Sequence, residues 1–208
     1  MLEEVTITAQ KRSENLQEVP LSVTALGAQQ LEVRGIESLS GLNGVAPNVL
    51  FRSNDGGQTW TAISPDLTRD DKSKEEWSGG PLTGDNTGAE YYCTIFAVAE
   101  SPREKGVIWA GTDDGNVQMS RDAGRTWTNV RDKIPGHPGY WVSRVEASHS
   151  VKGTAYASLD GRRFALYKPW IFKTTDYGKT WTNITSNLPD GQPVYVVKED
   201  LKNPNLLF

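Results

Sequence analysis

Four carboxylates stand in irregular stretches of this sequence: Asp85, Glu90, Asp114 and Asp160. Tyr91, Tyr92, Tyr140, Trp141 and Arg162 lie near them along the chain. Glycoside hydrolysis requires two carboxyl groups about 5–10 Å apart. Aromatic platforms flanked by carboxylates and arginine suit a sugar or peptide ligand. The same residue types also serve as solvated loop groups and edge packing, so composition leaves catalysis, ligand binding and plain solvation open. Other chemistry is ruled out more firmly. His137 and His149 are isolated, with no metal-ligand spacing around them. Tyr177-Gly178-Lys179-Thr180 ends like a P-loop, but Lys173 occupies the position where that motif needs glycine. Cys93 is the only cysteine, so neither a disulfide nor a thiolate cluster can form within the chain. No metal and no cofactor are expected.

Three further carboxylates belong to a repeated motif, Ser/Thr-x-Asp-x-Gly-x-Thr-Trp. Its copies are Ser53, Asp55, Gly57, Thr59 and Trp60; then Ser120, Asp122, Gly124, Thr126 and Trp127; then Thr174, Asp176, Gly178, Thr180 and Trp181. Repetition argues against a unique active site. The motif reads instead as a hairpin turn. The carboxylate accepts backbone N–H groups two or three residues on, glycine takes the positive φ of a tight turn, and tryptophan packs between neighbouring sheets.

The elements around the motif follow from a second repeat. Val98-Ala99-Glu100-Ser101-Pro102 corresponds to Val145-Glu146-Ala147-Ser148-His149 and to Val197-Lys198-Glu199-Asp200-Leu201. The spacing fits the roughly 40–50 residues of a four-stranded blade. One blade is predicted over 94–100, 107–112, 116–120 and 125–130, and the next over 142–148, 154–159, 170–175 and 179–185. Half-blades flank them at 49–63 and 194–208. Since successive strands alternate direction, the motif turns fall on one face. The loops 64–93, 112–116, 131–141, 159–170 and 186–193 gather on the other, where function concentrates.

Residues 49–208 thus resemble the BNR/Asp-box repeat proteins, a superfamily of sialidases, xyloglucanases and sortilin-type receptor propellers. Trp109-Ala110-Gly111-Thr112-Asp113-Asp114-Gly115 and Lys173 to Trp181 look nearest to sortilin-like bacterial exported repeats. The resemblance implies an all-β chain: an incomplete Asp-box β-propeller of about two full and two partial four-stranded blades. It implies a periplasmic, outer-membrane-associated or secreted location.

The opening segment differs. Val5 to Thr8 and Pro20 to Leu26 read as β-like runs, and Ala28 to Arg34 as a short helix stopped by Gly35. Glu3 to Arg12, Asn15 to Val23 and Leu31 to Ile36 resemble the plug of TonB-dependent outer-membrane receptors, so residues 1–48 are expected to form a small α+β plug-like segment. That resemblance implies that Glu4, Val5, Thr6, Ile7 and Thr8 form a TonB box adding as a strand to TonB. The two resemblances meet near residues 46–50 without a linker, which suggests a fusion.

Charge and hydropathy narrow the partners. The formal net charge is −4, without the basic excess of a nucleic-acid binder. No apolar run approaches the roughly 18 residues of a membrane helix, and Met1 leads into Leu2-Glu3-Glu4 without the features of a signal peptide. The leading expectation is a non-catalytic scaffold that binds a protein or glycan through the loop face. A glycoside hydrolase relative and a remnant TonB-dependent receptor are the alternatives. Open blade edges are expected to promote self-association.

Overall fold

The computed structural model describes residues 6–9, 12–15, 48–74 and 92–208. The chain divides into two units, Met1–Leu42 and Asn43–Phe208. In the first, β1 (Thr6–Ala9) and β2 (Arg12–Asn15) form an antiparallel hairpin that pairs Thr6 with Asn15 and Ala9 with Arg12. The expected run at 20–26 and helix at 28–34 lie outside the described residues, as do Glu4 and Val5.

The second unit is a series of antiparallel sheets. β3 (Phe51–Arg52) pairs with β4 (Thr61–Ala62). A four-stranded sheet follows in simple order: β5 (Ile95–Glu100), β6 (Ile108–Thr112), β7 (Val117–Ser120) and β8 (Thr128–Asn129). The next repeats it with β9 (Trp141–Ala147), β10 (Ala155–Asp160), β11 (Trp170–Thr174) and β12 (Thr182–Asn183). Beyond them, Lys198 and Phe208 exchange both backbone hydrogen bonds at 2.9 Å, beside a bridge between Glu199 and Leu207. This is the all-β, blade-by-blade architecture that the repeats predict. The fourth strands are shorter than expected, two residues rather than the predicted 125–130 and 179–185. The motif turn uses the residues before Thr128 and Thr182 for side-chain bonding, which takes them out of the ladder.

Burial explains the strand sequences. β6 and β10 are buried at every position, as inner strands covered on both faces, so they show no alternation of buried and exposed residues. The core joins Trp109, Val117 and Met119 of one sheet to Val142, Val145, Ala157, Leu159 and Phe172 of the next. Gly111 allows the close approach. A Cβ there would lie 2.5 Å from Cγ1 of Val142 and 3.3 Å from Cγ1 of Val145. The half-blade is tied in as well: the carbonyl of buried Leu67 accepts Asn116 Nδ2 at 3.1 Å and Gln118 Nε2 at 2.8 Å.

Gly111→Ala is expected to lower unfolding stability by about 1–3 kcal/mol through overpacking between the sheets. Urea unfolding measures it, and an unchanged midpoint would show that the blades are not held at this spacing.

Candidate functional site

Antiparallel order places the β5–β6 and β7–β8 connections at one end of a sheet and the β6–β7 and β8–β9 connections at the other. Contacts at each end agree with this. Ala123 N–H donates to Gly106 O at 2.9 Å at the motif end. A Cβ on Gly115 would lie 3.0 Å from the carbonyls of Gly139 and Tyr140 at the loop end.

At the motif end the three turns share one geometry. The hydroxyl of Ser53, Ser120 or Thr174 accepts the N–H of the glycine four residues on, at 2.7, 2.9 and 2.9 Å. It donates to the aspartate Oδ1 at 2.7, 2.9 and 2.9 Å. That Oδ1 also accepts the threonine N–H at 2.9, 2.8 and 2.9 Å, while Oδ2 accepts the threonine hydroxyl at 2.6 Å in each copy. The expected bond to an N–H two residues on is replaced, because the hydroxyl takes that glycine donor, and the carboxylate reaches the threonine four residues on; in the third copy the Lys179 backbone, three residues on, also bonds Asp176. Two successive residues adopt positive φ in each turn: Gly56 and Gly57, Ala123 and Gly124, Tyr177 and Gly178. Hydrogen bonds from Thr59 and from Thr126 hold the Asp55 and Asp122 carboxyls down at about 2, and Thr180 lowers that of Asp176. Groups so bound and so acidic are poor proton donors at neutral pH.

The turns also grip the preceding sheet. Trp127 Nε1 donates to Ile63 O at 2.9 Å, and Trp181 meets Trp109 edge-on at 5.9 Å between centroids. Trp181 is 6% exposed, whereas Trp60 is 48% exposed. A Cβ on Gly124 would sit 2.5 Å from Ile63 O, and one on Gly178 3.0 Å from Val130 Cγ1.

At the loop end, rings collect into two clusters. Tyr140 stacks on Phe164 at 5.0 Å and 30° and lies 5.5 Å from Trp170. The adjoining Trp141 meets Phe96 at 4.2 Å and Tyr195 at 5.4 Å, both nearly perpendicular. The Arg163 guanidinium lies 4.6 Å over Trp141 and that of Arg162 5.1 Å over Tyr195. Phe164, Phe96 and Tyr195 are exposed. Trp141 is buried, and its Nε1 has no hydrogen-bond partner among the described residues.

The candidate carboxylates separate here. Asp160 is buried and fully engaged by Arg162, through its N–H at 2.9 Å, Nε at 2.8 Å and Nη2 at 2.7 Å. Asp114 is buried, accepting the Thr112 hydroxyl and the Arg69 N–H. Both hold loops in place. Asp113 differs: its Oδ1 accepts Thr94 N–H at 2.7 Å, and burial pushes its carboxyl up to about 6, despite that bond and with help from the Asp114 charge. His137 accepts Gly139 N–H at 2.9 Å and is held down at about 4, by burial first and then by Arg131. Tyr92 is half-buried below the Lys74 ammonium, 5.1 Å from its ring centre. Asp85, Glu90 and Tyr91 lie outside the described residues.

Tyr140, Trp141 and Arg162 are thus brought together, along with Phe96, Phe164 and Tyr195, which sequence reasoning missed. A signal for two of them existed. The second repeat places Phe96 and Tyr195 at the same register, two residues before Val98 and Val197.

Residues 51–62 match the BNR/Asp-box repeat family. Over 164 residues the chain is 26% identical to an oligoxyloglucan-reducing end-specific xyloglucanase of Emericella nidulans, covering 69% of this chain and 17% of that protein. It is 26% identical over 159 residues to a probable enzyme of the same description from Neosartorya fischeri, covering 76% of this chain and 16% of that one. An ancestral GH74 enzyme superposes with a TM-score of 0.54 at 16% identity, over 77% of this chain and 18% of that structure, a likeness of fold. The chain therefore spans only 17% and 16% of the length of the curated relatives it matches. These relatives lend no support to the plug-like reading of residues 1–48.

The carboxyl shifts give opposite pH dependences. Asp55 and Asp122 fall from an ordinary value of 3.8 to about 2, so their contribution is complete above pH 3.8 and is lost as pH falls through about 2. Asp113, raised to about 6, favours folding below pH 3.8, and that contribution is lost as pH rises through about 6. Melting temperature is expected to drop steeply below pH 4. Asp122→Asn should flatten that limb, and Asp113→Asn should remove the decline approaching pH 6. Thermal melts across pH 2–8 check both.

Proposed function

We propose that the blades form a carbohydrate-binding scaffold whose loop end takes a plant-type oligosaccharide. The observation that carries this reading is the two ring clusters at the loop end, Phe164 and Trp170 about Tyr140, and Phe96 and Tyr195 about Trp141, with the Arg163 guanidinium over Trp141 and that of Arg162 over Tyr195. Exposed rings present flat apolar surface to the C–H faces of sugar rings, and a few polar groups beside them fix orientation. Relatives named for acting on oligoxyloglucan support a glycan over a protein ligand.

A second reading, glycoside hydrolysis, is favoured by one observation. Asp113 is buried at the same end and sits in the acidity range of a general acid. Asp114 and Asp160 are occupied in holding loops.

Calorimetric titration of the chain with xyloglucan oligosaccharides should give saturable binding. Phe164→Ala, which removes an exposed ring, should weaken it about fivefold or more. Binding that is absent, or indifferent to Phe164→Ala, sinks the scaffold reading. In a reducing-sugar assay, the hydrolase reading expects product that Asp113→Asn abolishes. Binding without product leaves the scaffold reading alone.

A further inference from the structure

The motif end carries a feature that the turn itself does not require. A cavity of about 460 Å³ is lined by Arg52, Lys105, Arg121 and Arg125 around the backbone of Gly106 and Ala123. Asp122 is the acidic residue of the lining, and both its oxygens are committed to Ser120 and Thr126. Four cations thus converge in a chain whose formal net charge is −4. They come from three segments that the fold brings together: β3, the β5–β6 connection and the middle motif turn.

Three of the four are held in orientation. Arg125 Nε donates to Asp122 O at 3.2 Å, and Arg52 Nη1 donates to Ala123 O at 3.4 Å. The Arg121 guanidinium lies 3.9 Å over the Tyr177 ring, with Glu104 Oε1 at 4.0 Å from its Nη2. Glu104 is itself engaged, accepting the Tyr177 hydroxyl at 2.6 Å. Each guanidinium spends part of its fork on the protein and keeps N–H groups for a ligand. Lys105 is exposed and makes no hydrogen bond or ion pair with another described residue. The other motif copies show that the turn closes without such residues. Arg121 and Arg125 correspond to Asn54 and Gln58 in the first copy and to Thr175 and Lys179 in the third.

We propose that this cavity binds a tetrahedral oxyanion, a phosphate or sulfate group, at the end of the blades opposite the ring clusters. Guanidinium forks match such oxygens in paired hydrogen bonds, and a lysine adds a mobile point charge. The proposal is independent of the carbohydrate reading, since it uses a different end of the sheets.

The test is a titration of the isotope-labelled chain with inorganic phosphate, inorganic sulfate and a sulfated oligosaccharide, followed by amide NMR. Saturable shifts at Gly106, Ala123 and Gly124 are expected, weakening as sodium chloride is raised. The pair Arg52→Ala and Arg125→Ala should reduce affinity about tenfold. Lys105→Ala removes no contact of the fold and should also reduce it, whereas Lys179→Ala at the third turn should not. Tighter binding of the sulfated oligosaccharide than of free sulfate assigns the group to a polymer, and equal binding assigns it to a free ion; either supports the site. No saturable shift with any probe, or shifts unaffected by the Lys105 and the paired arginine substitutions, overturns it.

Discussion

The bond between an aspartate and the threonine four residues on is the constraint from which the rest of the second unit follows. It closes a hairpin that contains two consecutive left-handed residues. In two copies one of these is not glycine but Ala123 or Tyr177, a conformation that costs such residues energy. The carboxylate offsets that cost by satisfying a backbone donor and a hydroxyl at once. Because the turn is tight, the following tryptophan emerges at a fixed angle toward the sheet before it. Local hydrogen bonding thereby sets the spacing between blades, and Gly111 and Gly178 are glycines because that spacing leaves no room for a Cβ.

Much of this was legible in the sequence because it is local. The bonds among the motif's hydroxyl, carboxylate, glycine and threonine all span five residues or fewer, so residue type and spacing determine them, and the four-strand period follows from two independent repeats. What was missed depends on where distant segments meet. Asp113 and Asp114 are neighbours in sequence, yet Asp114 is tied by Thr112 and Arg69 while Asp113 is buried and accepts the Thr94 N–H. Residue type could not separate them. Phe164 and Tyr195 read as ordinary loop and strand residues until Tyr140 and Trp141 are placed beside them. The motif carboxylate reaches a residue further than expected because the serine or threonine hydroxyl takes the glycine N–H two residues on. The plug-like reading of residues 1–48 rests on residue pattern, and most of its expected elements lie outside the described residues.

The alternation of strand direction divides labour between the two ends of each sheet. One end has its motif carboxylates held ionised by short-range hydrogen bonds. The other gathers rings, guanidiniums and an aspartate made less acidic by burial, on connections of differing length. The loop end can therefore vary in sequence without disturbing the turns that fix the blades.

The graded burial of the three motif tryptophans has a consequence for assembly. Trp127 and Trp181, with Gly124 and Gly178, rest on the sheet that precedes them in the chain, and Trp181 is covered while Trp60 is exposed. A newly made chain emerging from a ribosome always presents the supporting sheet before the element that must lie on it. Growth can then proceed by adding one meander at a time to a finished surface, with short loop closures at every step. The sheet order is in this sense written as a direction of synthesis, and a circularly permuted chain that reversed it would have to build each blade against a partner not yet made.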